Sequence, residues 1–160
     1  MSASGCFSGP KNSVRATTIL SLADRPDCAK FVVDWLHREW GIDVDEISSL
    51  IQASDERPGA ILAVEDDHPM GVLAYKRYHA NFQLRPELWI NAVYVLPDFR
   101  RNGVGRKLVI AGSMPRYVGD PKEIFVYTDV PALYLSCGWK LVVSDATTGM
   151  HTLRFPIVSR

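Results

Sequence analysis

The stretch that decides the fold is Arg100-Arg101-Asn102-Gly103-Val104-Gly105, which lies between a strand-like run and a helix-like run. The run before it, residues 89–96 (WINAVYVL), is rich in β-branched and aromatic residues and ends at the turn signal Pro97-Asp98. The run after it, residues 106–111 (RKLVIA), can continue as a helix. Glycines at such a junction let backbone N–H groups approach a ligand, and the first amides of a helix have no acceptor within it. The stretch therefore predicts a loop that binds an anion.

The local charge and the glycine spacing indicate which of three known types of anion-binding loop this stretch is. Residues 85–107 contain five basic and two acidic residues, although the whole chain has 18 of each and a formal net charge of zero. A phosphate-binding P-loop is absent, and the dinucleotide pattern Gly-x-Gly-x-x-Gly fails because its third glycine is replaced by Leu108. The pattern Arg/Gln-x-x-Gly-x-Gly/Ala after a strand is satisfied by Arg100, Gly103 and Gly105.

A second motif follows the loop by about 25 residues. Residues 124–128 (IFVYT) are typical of a buried strand, and residues 131–139 (PALYLSCGW) follow as a short helix. Tyr134 in that helix stands four residues before Gly138. With both motifs in this order, the chain resembles the GCN5-related N-acetyltransferases (GNAT family). The resemblance covers residues 60–157 well and the first 60 residues in outline.

The predicted order of elements is β-α-α-β-β-β-α-β-α-β-β, which is the order of that family. We expect a first strand at residues 14–20, a helix capped by Asp24 and ended by Gly41, and a second helix that starts at Asp43 or Asp45. The first helix has a stripe of apolar residues that should face inward: Cys28, Val32, Trp35, Leu36 and Trp40. Two antiparallel strands are expected at residues 60–65 and 70–78.

The last part of the order surrounds the two motifs. Pro115 should kink or end the glycine-loop helix near Ser113, with residues 117–122 as a loop. Final strands are expected near residues 139–143 and 152–157. The resemblance implies one α/β (α+β) domain with a mixed, mostly antiparallel sheet, one splayed parallel strand pair and helices on both faces. We assign residues 11–160 to this domain and expect residues 1–10 to be a flexible tail.

Composition agrees with a single domain and excludes other classes of protein. With 160 residues, 47% of them hydrophobic, the chain can bury one good core. Three widely spaced cysteines suggest a reducing compartment, and no apolar run is long enough for a membrane span or a secretory signal. The even charge balance gives no sign of nucleic-acid binding, and the four histidines lack metal-ligand spacing. We therefore expect a cytoplasmic protein without a metal.

The resemblance implies acetyl-CoA as the co-substrate. Its pantetheine arm would fill the gap beside the strand that holds Val93, Tyr94 and Val95, pairing with the backbone at Val93 and Val95. A backbone N–H, that of Val95, would bind the thioester carbonyl oxygen. The pyrophosphate would be cradled by the loop, with charged side chains adding contacts. The loop residues are Arg100, Arg101, Asn102, Gly103, Val104, Gly105 and Arg106.

Two side chains are candidates for proton transfer. Tyr134 would face the sulfur, and because a phenol has a pKa about 1.5 units above that of a thiol, we expect a hydrogen bond to the leaving thiolate with late proton transfer. A primary alkylamine is almost wholly protonated at pH 7, so a base is needed. Glu87, acting through water, is the candidate because the strand period places it on one face with Trp89 and Asn91. Glu39, Glu65 and Asp129 remain rivals for the base.

The acceptor stays open at this point. The resemblance implies direct transfer of an acetyl group to a primary amine, which could belong to a small molecule or to a protein or peptide. A homodimer is also left open. Two alternatives remain. One is a non-catalytic acyl-CoA sensor or partner-binding module, which would keep the loop and lose turnover, and the other is a nucleotide-binding protein that uses the same loop.

Overall fold

The computed structural model describes residues 16–115 and 121–157. Seven strands form one sheet in the order β1-β2-β3-β4-β5-β7-β6, in which β4 and β5 are parallel and the other neighbours antiparallel. The strands are β1 (Thr18–Ser21), β2 (Ile61–Glu65), β3 (His68–Tyr78), β4 (Glu87–Val95), β5 (Glu123–Thr128), β6 (Lys140–Asp145) and β7 (Met150–Pro156). The helices are α1 (Ala29–Trp40), α2 (Val44–Leu50), α3 (Val104–Gly112) and α4 (Pro131–Leu135). This arrangement confirms the predicted fold class and order of elements.

The start of α1 differs from the prediction. Asp24 does not cap it, because two 3-10 turns, Leu22–Asp24 and Pro26–Cys28, come before the helix begins at Ala29. Pro26 fixes its own φ and lacks an N–H, which suits the first position of the second turn. The predicted end is confirmed, since Gly41 closes the helix with a φ of 66°. The inward stripe is buried, except that Trp40 at its end is 49% exposed.

The other predicted boundaries are close to the observed ones. Asp43 caps α2, its Oδ2 accepting from the N–H groups of Asp45 and Glu46 at 3.1 and 3.3 Å. The hairpin of β2 and β3 turns at residues 66–67, and α3 ends at Gly112 with Ser113 as its cap. The predicted tail at residues 1–10, the start of the first predicted strand and most of the predicted loop at 117–122 lie outside the described residues.

Helices cover both faces of the sheet and divide the core in two. On one face, α3 and α4 pack through Leu108, Val109 and Tyr134 onto the middle of the sheet. On the other face, α1 and α2 pack through residues such as Leu36 and Ile47. We call these the α3 face and the α1 face. Burial of this much apolar area on each side fixes which side chains of the central strands point to which helices.

Candidate active site

The parallel strands β4 and β5 separate halfway along their length. Only three residue pairs join them, from Leu88↔Ile124 to Ile90↔Val126. Beyond Ile90, β4 continues to Val95 paired with β3 alone. The two strands therefore enclose a gap that opens toward their carboxyl ends, as predicted for the splayed pair.

A β-bulge at Asn91 marks the point where the gap begins. Across the β3–β4 ladder Ala74 pairs with Ala92 while Tyr75 pairs with Ile90, which leaves Asn91 without a partner on β3. The extra residue shifts the alternation of side chains by one. Leu88 and Ile90 face α3, and after the bulge Val93 and Val95 do so. The expected shared face of Glu87, Trp89 and Asn91 is therefore interrupted at the bulge.

The register also fixes where the backbone groups of β4 point. Leu96 N–H donates to Met70 O at 2.8 Å, so this residue pair is hydrogen-bonded. Bonded and non-bonded pairs alternate along an antiparallel ladder, so the backbone of Tyr94 bonds toward β3 while that of Val93 and Val95 points the other way. The N–H groups of Val93 and Val95 therefore face the gap. The carbonyl oxygen of Val95 accepts from Arg100 Nε at 2.7 Å.

The glycine loop turns a row of backbone donors outward at the open end of the gap. Arg101 and Gly103 have left-handed backbone angles, with φ of 67° and 80°. The first hydrogen bond of α3 runs from Lys107 N–H to Gly103 O at 3.1 Å. Within the described part of the chain, the six N–H groups of residues 101–106 have no hydrogen-bond acceptor. Such a row at a helix N-terminus favours an anion.

Two of the predicted anion ligands use their side chains elsewhere. The Arg100 guanidinium lies 5.4 Å from the centre of the Tyr94 ring, in addition to its bond with Val95. Arg106 Nη1 donates to the carbonyl and the hydroxyl oxygen of Ser136, at 3.0 and 2.6 Å. The loop therefore presents backbone donors and the exposed side chains of Arg101 and Asn102.

Tyr94 does not face the gap. Its ring stacks on that of Trp35 with centroids 5.9 Å apart, and meets Trp40 edge-on at 6.0 Å. With its backbone bonded toward β3 and its ring against α1, the structure argues against the predicted cofactor contact of Tyr94. Cation–π contact with Arg100 gives the ring a role in holding the loop.

Tyr134 lies on the α3 face, within the same core cluster as Val93 and Val95. The residue is 4% exposed, and its ring meets that of Trp139 edge-on with centroids 5.3 Å apart. Burial raises the pKa of the Tyr134 hydroxyl above its usual value, so the phenol stays neutral. None of the described residues forms a hydrogen bond with this hydroxyl. The group is therefore a neutral donor that is available to a ligand.

Glu87 lies at the closed end of the strand pair. It is the first residue of β4, four residues or about 13 Å of strand before Asn91, and it pairs with Arg85 Nε at 3.2 Å. The next position on its face is occupied by Trp89, which is buried against Phe125 with ring centroids 5.2 Å apart. Distance and this aromatic barrier argue against the predicted role of Glu87 as a base acting through water.

The rival carboxylates are spread over the molecule. Glu65 ends β2, two strands away from β4, and Glu39 is exposed near the end of α1. Asp129 is exposed and directly follows β5, at the open end of the gap. Of the four carboxylates considered, Asp129 is therefore the one beside the opening.

Sequence reasoning missed two features of this site. The bulge at Asn91 has no signal of its own, since no glycine or proline interrupts the strand. The contact between Arg106 and Ser136 joins residues 30 positions apart. Neither feature could be found from local patterns, because both depend on the packed sheet.

Residues 16–115 and 121–157 contain neither a membrane-spanning helix nor a candidate metal-binding cluster. None of their helices is long and apolar enough to cross a membrane. Nowhere in these ranges do three or more His, Cys, Asp or Glu side chains come together as a group that could hold a metal ion.

The comparisons with known proteins agree on one family. The protein-family model "Acetyltransferase (GNAT) family" matches residues 26–113, more than half of the chain. No curated protein sequence matches the chain significantly.

Solved structures of similar fold cover nearly the whole chain. A GNAT family N-acetyltransferase from Escherichia coli in complex with CoA has a TM-score of 0.66 at 17% identity, covering 94% of this chain and 86% of that one. The aminoglycoside 6'-N-acetyltransferase from Enterococcus faecium has a TM-score of 0.61 at 16% identity, covering 89% of this chain and 98% of that one. The ribosomal-protein-S18-alanine N-acetyltransferase from Escherichia coli has a TM-score of 0.60 at 16% identity, covering 91% of this chain and 96% of that one. At such low identity these likenesses concern the fold.

Proposed function

Because the chain belongs to the GNAT acetyltransferase family, we propose that it transfers the acetyl group of acetyl-CoA directly to an amine. The observation that supports this most is the gap between β4 and β5 with free N–H groups at Val93 and Val95 and a row of donors at residues 101–106. An extended amide-containing arm can pair with the first, and a pyrophosphate with the second.

The geometry favours Val93 over Val95 as the donor to the thioester carbonyl. Val95 lies beside the anion loop, since its carbonyl oxygen holds Arg100 and a Cβ at Gly105 would lie 3.8 Å from its Cγ2. The arm runs from the pyrophosphate to the sulfur, so its thioester end reaches deeper, toward the closed end of the gap. Val93 stands one step deeper on the same edge of β4. Its N–H would stabilise the oxyanion as the amine attacks.

Tyr134 supplies the hydrogen bond to the leaving group. As the amine nitrogen bonds to the carbonyl carbon and the carbon–sulfur bond breaks, negative charge moves to the sulfur. The neutral phenol of Tyr134 donates to that thiolate. Its raised pKa makes complete early transfer of the proton uphill, so stabilisation by hydrogen bonding comes first. The proton that the attacking nitrogen loses as it becomes an amide passes to the thiolate, with Tyr134 as the last donor, so the products are the N-acetyl amine and CoA with a free thiol.

Before the attack, the protonated amine loses one proton through water toward Asp129. This residue follows Val126, the last β5 residue paired with β4, by three positions or about 10 Å of strand. A chain of waters is needed over that distance. An α-amino group, with a pKa near 8, would need less help than an alkylamine near 10.4.

The acceptor is a small-molecule amine or a protein or peptide amine. Structures of similar fold are described as acting on both kinds, an aminoglycoside in one case and a ribosomal-protein alanine in another. The alternative, a non-catalytic acyl-CoA-binding module, keeps the cradle without turnover. The hydroxyl of Tyr134, which is neutral and neither accepts nor donates a hydrogen bond among residues 16–115 and 121–157, favours the enzyme.

The proposal is tested by CoA release from acetyl-CoA across a panel of small amines and peptides. Wild type should release CoA with at least one amine, and Tyr134→Phe should lower kcat by about 10²-fold, the usual scale for a positioned acid. Acetyl-CoA affinity should hardly change, because the ring still packs on Trp139. Binding of acetyl-CoA without turnover on any amine, or a normal kcat in Tyr134→Phe, would contradict the enzymatic role.

A homodimer completes the proposal. The end strand β6 exposes three consecutive apolar residues, Leu141, Val142 and Val143, each at least 39% accessible. Antiparallel pairing of β6 with a second copy, with the two-fold between Val142 and Val143, would set Lys140 opposite Asp145 of that copy. Light scattering should give twice the chain mass for wild type and a monomer for Val143→Lys. Monomeric wild type would refute the dimer and leave the enzymatic proposal untouched.

A further inference from the structure

Arg106 joins the two functional parts of the site. It lies in the first turn of α3, at the end of the row of backbone donors at residues 101–106. Its side chain crosses to the end of α4, where Nη1 donates to Ser136 O at 3.0 Å and to Ser136 Oγ at 2.6 Å. The Ser136 hydroxyl in turn donates to Leu133 O at 2.7 Å. One guanidinium thus holds the carboxyl end of α4.

The helix that Arg106 holds has little stability of its own. α4 has five residues, and isolated helices shorter than about 12 residues are marginal even in favourable sequences. A cation at the carboxyl end of a helix also interacts favourably with its dipole and with its unpaired carbonyl groups. Tyr134 stands two residues before Ser136, and its carbonyl oxygen accepts from the N–H groups of Cys137 and Trp139 at 2.9 and 3.1 Å. Tyr134 therefore belongs to the same turn of chain that Arg106 binds through Ser136.

We infer that Arg106 is a positioning residue for Tyr134 and that its side chain is not a pyrophosphate ligand. This inference rests on the proposed function, in which Tyr134 hydrogen-bonds to the departing thiolate. Both acceptors of Arg106 belong to Ser136, which is 30 residues distant in sequence and close in space. The backbone N–H of Arg106 remains in the anion loop while its side chain fixes the distance from α3 to α4.

A double-mutant cycle between Arg106 and Tyr134 tests this inference. In the wild-type background, Arg106→Gln should lower kcat about tenfold and change acetyl-CoA affinity by less than about threefold, while Arg106→Lys should restore part of the loss. In the Tyr134→Phe background, Arg106→Gln should change kcat by less than about twofold, because the hydroxyl it orients is gone. Arg101→Gln is the contrasting variant: its exposed side chain lies at the anion loop, so its main effect should be a fall in acetyl-CoA affinity.

Ser136→Ala weakens the same contact by changing the acceptor, and it serves as the test if Arg106→Gln folds poorly. It removes one of the two acceptors, so kcat should fall in the same direction by a smaller factor. An equal loss from Arg106→Gln in both backgrounds would refute the inference while leaving the proposed function intact. A tenfold loss of acetyl-CoA affinity with normal kcat would make Arg106 a ligand and would refute it too. A normal kcat in Tyr134→Phe alone would overturn both the inference and the role of Tyr134.

Discussion

The substitution Gly105→Asp should raise the stability of the fold slightly and lower the affinity for acetyl-CoA strongly. Gly105 is the second residue of α3 and has no positive φ. A Cβ at this position would meet only Val95 Cγ2 within 4 Å, at 3.8 Å, which is an ordinary van der Waals contact. The folded chain can therefore accept a side chain here without a shift of the backbone.

The effect on stability should be small and favourable. Glycine costs up to about 1 kcal/mol relative to alanine inside a helix, and less near its end. A carboxylate in the first turn gains roughly 0.3–1 kcal/mol from the helix dipole. We expect a net gain near 0.5 kcal/mol, which for a chain of this size raises Tm by about 1–2 °C.

The effect on acetyl-CoA affinity should be large and unfavourable. A carboxylate about 5 Å from a bound phosphate, at an effective dielectric constant of about 20, is repelled by roughly 3 kcal/mol per charge. Screening by salt reduces this value, so we expect the affinity to fall at least tenfold, or about 1.4 kcal/mol. Titration calorimetry gives the affinity, and a thermal melt of the same sample without ligand gives Tm.

Two controls separate charge from bulk and from remote effects. Gly105→Ala has the same Cβ without the charge, so its loss of affinity measures the closeness of the backbone to the ligand. Gln52→Glu adds one negative charge at an exposed position outside the anion loop and should leave affinity unchanged. An unchanged affinity in Gly105→Asp would refute the placement of the pyrophosphate. A parallel fall of Tm and affinity would mean that the fold, and not the site, was damaged.

Two other predictions follow from carboxylates and buried phenols. Glu87→Gln should keep kcat within about twofold because Trp89 separates Glu87 from the gap. Asp129→Asn should lower kcat and move its pH optimum upward. The reverse pattern in pH–rate profiles would restore Glu87 as the base. Burial raises the pKa values of Tyr75 and Tyr134 above the unfolded value near 10, so the stability they contribute is full below pH 10 and is lost as the pH rises above it. Thermal melts between pH 9 and 11 should show a smaller loss for Tyr75→Phe/Tyr134→Phe than for wild type, and equal losses would contradict the assignment.

Local signals predicted the order of elements and the anion loop. The loop conformation could be predicted because it depends on the backbone, and the glycine spacing that permits it lies in adjacent residues; its binding of an anion stays a prediction. The ends of α1 and α3 were predictable for the same reason, since Gly41 and Pro115 act on their own neighbourhood. In each case the physical cause lies within about one turn of the residue that signals it.

Features that depend on contacts across the sheet were not predictable. The role given to Glu87 relied on an unbroken period of two, which the bulge at Asn91 interrupts. The charges of Arg100 and Arg106 suggested anion ligands, yet their side chains bind Val95 and Ser136. Asp24 has the chemistry of a cap, but Pro26 two residues later imposes a separate turn. Composition gives the capacity of a side chain to bind, and the fold decides its partner.

The three residue pairs between β4 and β5 have a consequence for how the molecule opens. They are the ladder that connects strands β1–β4 with strands β5–β7–β6, so the sheet consists of two panels that meet along a short seam. A ligand in the gap would extend this seam, and the amides of Val93 and Val95 should then exchange their hydrogens more slowly with solvent. Binding of a ligand in the gap would thus hold the two panels together more strongly without changing the shape of the molecule. Limited proteolysis of the chain with and without CoA would measure that cohesion directly.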